Sequence, residues 1–178
     1  MRCLGIVAVA IELALGSSAV GGANVAIPDY VPKKYAHVIS VWLTNHPTYR
    51  VATDADCGCE EDLKRVRTVS MGAWKARPNY HPYYVVGDFD RDGVPDIAVG
   101  VIDQTAPGVF RVAIFNGPFS KHATSEAAFL SAPRRLGQGM FFGAPRPKPY
   151  MLVVGAFESE GAVLKLTPKG YVLTEEDD

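Results

Sequence analysis

The chain has 178 residues, 48% of them apolar, with a formal net charge of −1 at pH 7. That length holds one ordinary domain, and the near-zero charge gives no electrostatic footprint for a nucleic acid. Beyond the N-terminus no run is long and apolar enough to span a bilayer.

Met1 to Ala23 combines Arg2, an apolar run from Leu4 to Leu15 broken only by Glu12, and the small residues of 16–23. This is the pattern of a secretory signal peptide, with cleavage after Ala19 or Ala23; a retained anchor is the alternative, and the shortness of the run argues against it. Removal takes one cation and one anion, so the mature segment 24–178 also carries −1. The expected location is secreted or periplasmic.

From Tyr30 to His46 the apolar residues Tyr35, Val38, Ile39, Trp42 and Leu43 recur at helical spacing, with Pro47 as the stop. His37 and His46 lie on or beside this helix, where packing or solvent exposure is the ordinary role. Tyr49 to Ala52 reads as a short extended piece. Cys57 and Cys59, in DADCGCEED, are the two cysteines that survive cleavage. In an oxidising compartment they can close a small local disulfide that adds little stability; free thiols, intermolecular pairing and metal or redox chemistry are the alternatives. Glu60 to Arg67 follows as a second helix, its acids first and its bases last, in agreement with the helix dipole.

After Met71 the chain turns β-rich. Trp74, Tyr80, Tyr83 and Tyr84 offer either an aromatic contact surface or packing against the helix. Strand patterns cover Tyr83 to Val86, Ile97 to Ile102, Val109 to Phe115, Met151 to Phe157, Ala162 to Thr167 and Tyr171 to Thr174. Ser125 to Ser131 reads as a short helix. Pro133 to Pro149, with Arg134, Arg135, Arg146 and Lys148, reads as a basic loop that is either solvated or open to an acidic partner. The resulting expectation is an α+β domain: N-terminal helices packed on one face of a mainly antiparallel sheet of five or six strands.

The chemistry concentrates in 85–102, VVGDFDRDGVPDIAVGVI. Asp88, Asp90 and Asp92 alternate before Gly93, and Asp96 follows Val94 and Pro95, giving DxDxDGxxD. Three alternate carboxylates, a glycine for a sharp turn, the Val94 carbonyl and a fourth carboxylate suit a hard cation that takes six or more oxygens. An EF-hand needs Glu at the twelfth position, which here is the apolar Val99, so the loop is not one. An Asx-rich turn that holds no metal is the competing reading.

With its flanking strands and the GDF before the acidic residues, the stretch resembles the FG-GAP (VCBS) type repeat. The resemblance covers under a tenth of the chain. It implies calcium at Asp88, Asp90, Asp92, the Val94 carbonyl and Asp96. The string VVGAFESEGAV from Val153 echoes VVGDFDRDGVP from Val85, with Ala156 where the first ligand stands and Glu158 and Glu160 in place of the others. Two such units cannot close a propeller.

Serine-hydrolase elbow, zinc-protease, P-loop and dinucleotide motifs are lacking. The reading is a calcium-binding interaction module without catalytic activity, its partner a protein or glycan. The alternatives are an exported metal-dependent hydrolase using the Asp cluster with His81, and a small periplasmic inhibitor or immunity-type protein acting through the loop at Pro133 to Pro149.

Overall fold

The computed structural model describes residues 26–119, 126–146, 148–157 and 161–175. The signal segment, Glu158 and Glu160 of the echo, and the last three residues of the acidic tail lie outside the described residues.

Helix α1 (Lys33–Asn45) starts after Pro32, whose fixed φ suits a helix entry, and ends at His46 before Pro47. Strand β1 (Tyr49–Val51) leads to a single helical turn, α2 (Asp54–Cys57), which the sequence pattern did not indicate. Thr53 and Asp56 cap that turn reciprocally, and Gly58, at φ 60°, ends it in the left-handed region that glycine adopts without strain. Cys57 and Cys59 are joined, with Cα atoms 5.1 Å apart, and both are buried. Helix α3 (Glu60–Thr68) follows.

The remaining elements are strands: β2 (Tyr84–Gly87), β3 (Asp96–Asp103), β4 (Val109–Phe115), β5 (Phe129–Leu130), β6 (Arg134–Arg135), β7 (Gly139–Phe141), β8 (Val153–Gly155), β9 (Gly161–Thr167) and β10 (Gly170–Glu175). They form two antiparallel sheets, of six and four strands, where one was expected. In the first, β3 and β4 pair along their lengths, Ile97 opposite Phe115 and Val101 opposite Arg111. Strands β2 and β1 lie end to end along the other edge of β3, with β5 and β6 likewise along the far edge of β4. The second sheet runs β10-β9-β8-β7.

Strand β3 is buried from Asp96 to Ile102, so it reads as a continuous apolar run after its first residue instead of alternating. Its alternate residues enter different clusters. Ala98 and Ile102 join Phe110, Val112 and Ile114 and, from the second sheet, Met140, Val154 and Leu164. Ile97, Val99 and Val101 cluster with Ala113, Phe115 and the α1 residues Val38, Ile39, Trp42 and Leu43. Full burial of each large apolar side chain there is worth about 1.5–3 kcal/mol.

Two expectations need correction. The segment read as a helix at Ser125 to Ser131 contains β5 instead. The open edge of β4 needs partners, and Ala128 N–H donates to the Ile114 carbonyl at 2.7 Å and Ser131 N–H to that of Val112 at 2.9 Å. The basic loop at Pro133 to Pro149 contains β6 and β7, which satisfy the edges of β4 and β8. Within it Arg134 already pairs with Glu175 at 2.9 Å and bonds Gln138 at 3.0 Å.

The echo is also altered. Both units are hairpins, but Gly87 pairs with Asp96 whereas Gly155 pairs with Gly161. The second connection, 156–160, is three residues shorter than 88–95, so Gly161 occupies a strand position and not the turn position of Gly93.

Candidate metal centre

The hairpin connection between β2 and β3 carries the acidic residues. Gly93 turns it at φ 88°, and Arg91, at φ 65°, takes the same left-handed region, which costs a residue with a Cβ. Asx turns shape the backbone: Asp92 N–H donates to Asp90 at 3.2 Å, and Val94 N–H to Asp92 at 2.7 Å. Gly93 N–H reaches back to Asp88 Oδ2 at 3.1 Å.

Asp96 opens β3 and is fully buried. Its Oδ2 accepts the Phe89 N–H at 2.7 Å and its Oδ1 the Gly117 N–H at 3.0 Å. Burial raises its pKa above the usual carboxylate value, while those two N–H donors oppose the rise.

Three of the four carboxylates converge. Asp88, Asp90 and Asp96 each bring one oxygen within 4.8 Å of the others. Asp92 is exposed and stands outside that group, engaged with Val94. One oxygen, Asp88 Oδ1, is buried with no hydrogen-bond partner among the described residues. A buried acceptor left unpaired costs about 1–3 kcal/mol, and a cation is one species that removes the cost. The donor set, all hard oxygen, suits a hard cation better than a thiophilic metal.

Sequence reasoning missed the support that closes over this loop. Asn116, just past the end of β4, donates to Asp90 Oδ2 at 2.9 Å, and its own Oδ1 accepts the Tyr171 hydroxyl at 2.9 Å. Tyr171 belongs to β10, so the relay Tyr171–Asn116–Asp90 ties the second sheet to the acidic loop. Burial and the negative field of Asp96 and Asp90 raise the Tyr171 pKa, keeping it a donor. Nothing local in the sequence marked Asn116 as a cover for Asp90.

His81 belongs elsewhere. Its Nδ1 lies 3.1 Å from Asp54, its ring stacks on Tyr30 at 3.7 Å, and Asp54 also pairs with Arg67. It lines a cleft of about 330 Å³ with Tyr80, Tyr84 and Arg77. Among the described residues, the acidic group that can hold a metal includes no histidine. His46 stacks on Trp42 at 4.3 Å at the end of α1, and His37 is exposed.

The aromatics divide as well: Tyr80 and Tyr83 are buried in the core, whereas Trp74 is 45% exposed beside Met71 at 71%. Among the described residues, no helix is long and apolar enough to cross a membrane. Comparison of the chain with protein-family models, with known proteins and with solved structures gives no match.

Proposed function

We propose that this chain is an exported calcium-binding interaction module of FG-GAP type, without catalytic activity. Calcium would be held by Asp88, Asp90 and Asp96, with Asp92 and the Val94 carbonyl completing the oxygen shell. The observation that carries the reading is that Asp88, whose Oδ1 is buried and unpaired, brings one carboxylate oxygen within 4.8 Å of those of Asp90 and Asp96. An Asx-rich turn accounts for the oxygens that accept N–H groups. It does not account for that one.

The helical layer, with α1 over β3 and β4, serves as scaffold in this reading, and the loop is the ordered edge that a partner meets. The partner is a protein or glycan, and the exposed Met71 and Trp74 supply apolar contact area for it. Separation of His81 from the acidic loop favours this reading over a hydrolase in which His81 and the metal activate one water.

Isothermal calorimetry of the mature protein tests the metal. Calcium titrated to several millimolar, the range in which extracellular modules bind, is expected to give heat in the wild type and none in Asp90→Ala. No heat in the wild type, together with an unchanged melting temperature, overturns the reading.

A further inference from the structure

A second cleft, of about 330 Å³, opens directly beside the acidic loop. Its apolar lining comes from Phe89 in the loop, Tyr150 before β8, and Leu164 and Leu166 from β9. Its charged groups are two cations, Arg91 and Lys165. No carboxylate lines it, and neither cation has an ion-pair or hydrogen-bond partner among the described residues. A third cation stands next to it: Lys148 Nζ lies 5.6 Å from the centroid of the Tyr150 ring. The volume falls at the lower end of the roughly 300–1,000 Å³ of small-ligand sites.

The lining selects its own ligand. The apolar side chains take an aromatic or branched aliphatic body, and the cations at the same mouth take a single negative head group. We infer that this cleft binds small monocarboxylates with an apolar body, and that calcium in the adjoining loop strengthens the binding; the second clause rests on the metal reading proposed above.

The coupling has two physical sources. Phe89 and Arg91 flank Asp90 in the chain, and the Phe89 N–H is bonded to Asp96, so part of the cleft wall is carried by the carboxylate loop. Ordering the loop orders that wall. Without the ion, the negative field of Asp88, Asp90, Asp92 and Asp96 opposes an incoming anion. A divalent cation offsets two of those negative charges and so weakens the opposition. By linkage the acid must raise calcium affinity by the same factor that calcium raises affinity for the acid.

The probe is 4-phenylbutyrate against its uncharged amide, titrated into the mature protein with saturating calcium and again in chelator, and followed by calorimetry. The acid is expected to bind at least tenfold more tightly than the amide, and more tightly with calcium than without. Arg91→Ala/Lys165→Ala, two exposed positions whose loss leaves the core intact, is expected to abolish the preference for the acid while the calcium heat persists. Acid and amide binding alike, or a preference that survives in the double variant, overturns the cleft assignment and leaves the metal reading standing. Acid preference identical in calcium and chelator, in a protein that does take up calcium, overturns the coupling. A protein that takes up no calcium removes the metal reading and the coupling together, and the comparison in chelator then decides the cleft by itself.

Discussion

Replacing Asp88 by Asn gives the acidic loop a test with a change of sign. The substitution keeps the shape and an oxygen for the Gly93 N–H, and it removes one negative charge from a group of three. Two ionised carboxylates with oxygens no more than 4.8 Å apart repel by at least about 0.9 kcal/mol in a water-like medium and at least about 3.5 kcal/mol at an effective dielectric of about 20. Asp88 makes two such pairs, with Asp90 and with Asp96. Because Asp88 and Asp90 are partly solvated and the loop can relax, the low end applies, and the metal-free variant should gain about 1–2 kcal/mol. In calcium the order reverses. At a hundred times its dissociation constant the ion stabilises the wild type by about 2.7 kcal/mol, and a variant that binds a hundredfold more weakly gains only about 0.4 kcal/mol. For a chain of this size the wild-type gain corresponds to roughly 5–10 °C in melting temperature. Thermal melts followed by circular dichroism, in chelator and in several millimolar calcium, read both arms. The expected result is crossing curves: Asp88→Asn a few degrees above the wild type in chelator and below it in calcium. If the two proteins keep one order in both conditions, the carboxylates neither strain the free loop nor share an ion, and the reasoning fails.

Gly100→Ala places a methyl group 2.7 Å from Tyr83 Cβ at the centre of β3; overpacking there should cost about 1–3 kcal/mol, and an unchanged melting temperature would show that Tyr83 yields. Arg50 holds Asp56 down to a pKa of about 2 through a paired hydrogen bond. A depressed acid contributes stability above its unfolded value near 3.8, and that contribution is lost as the pH falls toward 2. Arg50→Ala should therefore lose about 1 kcal/mol at pH 5–7, discounted because Arg50 is substantially exposed, with the difference from wild type shrinking in acid melts; a constant difference would contradict this. Reducing the Cys57–Cys59 bond should cost at most about 1.5 kcal/mol, since the loop is three residues. Cys57→Ser/Cys59→Ser should cost more because both sites are buried in the core, and equal losses would place the effect in the cross-link alone. Exported protein should lack Met1 to Ala19 or to Ala23 on intact-mass measurement, and a full-length mass would refute the signal assignment.

How far the sequence could be read depended on whether the determining contact was local. Helix α1 was legible because Tyr35, Val38, Ile39, Trp42 and Leu43 share one face. Strand β4 was legible from the alternation of 109–115, and the loop from the spacing of its aspartates. Strands β5 and β6 were not, because two-residue segments have no period; they exist to satisfy the edge of β4, a requirement set by another part of the chain. The division into two sheets left no mark either, since Val153, Val154 and Val163 pattern alike whichever sheet they join. At the candidate site the four aspartates were visible, yet Asn116, Gly117 and Tyr171 were not. Each reaches the loop from more than twenty residues away from its partner.

That distant closure gives the loop a role in selecting the fold itself. Asn116 and Gly117 come directly after β4, and they meet Asp90 and Asp96 only when Phe115 stands opposite Ile97. A shift of β4 by one residue along β3 would turn Phe115 to the opposite face and carry both groups off the carboxylates. A strand as continuously buried and apolar as β3 tolerates misalignment more readily than an alternating one does. The acidic loop therefore works as a proofreading latch: in a slipped pairing Asp96 keeps the Phe89 N–H but loses that of Gly117, and Asp90 loses Asn116, and a bound cation would widen the gap between the correct alignment and its neighbours.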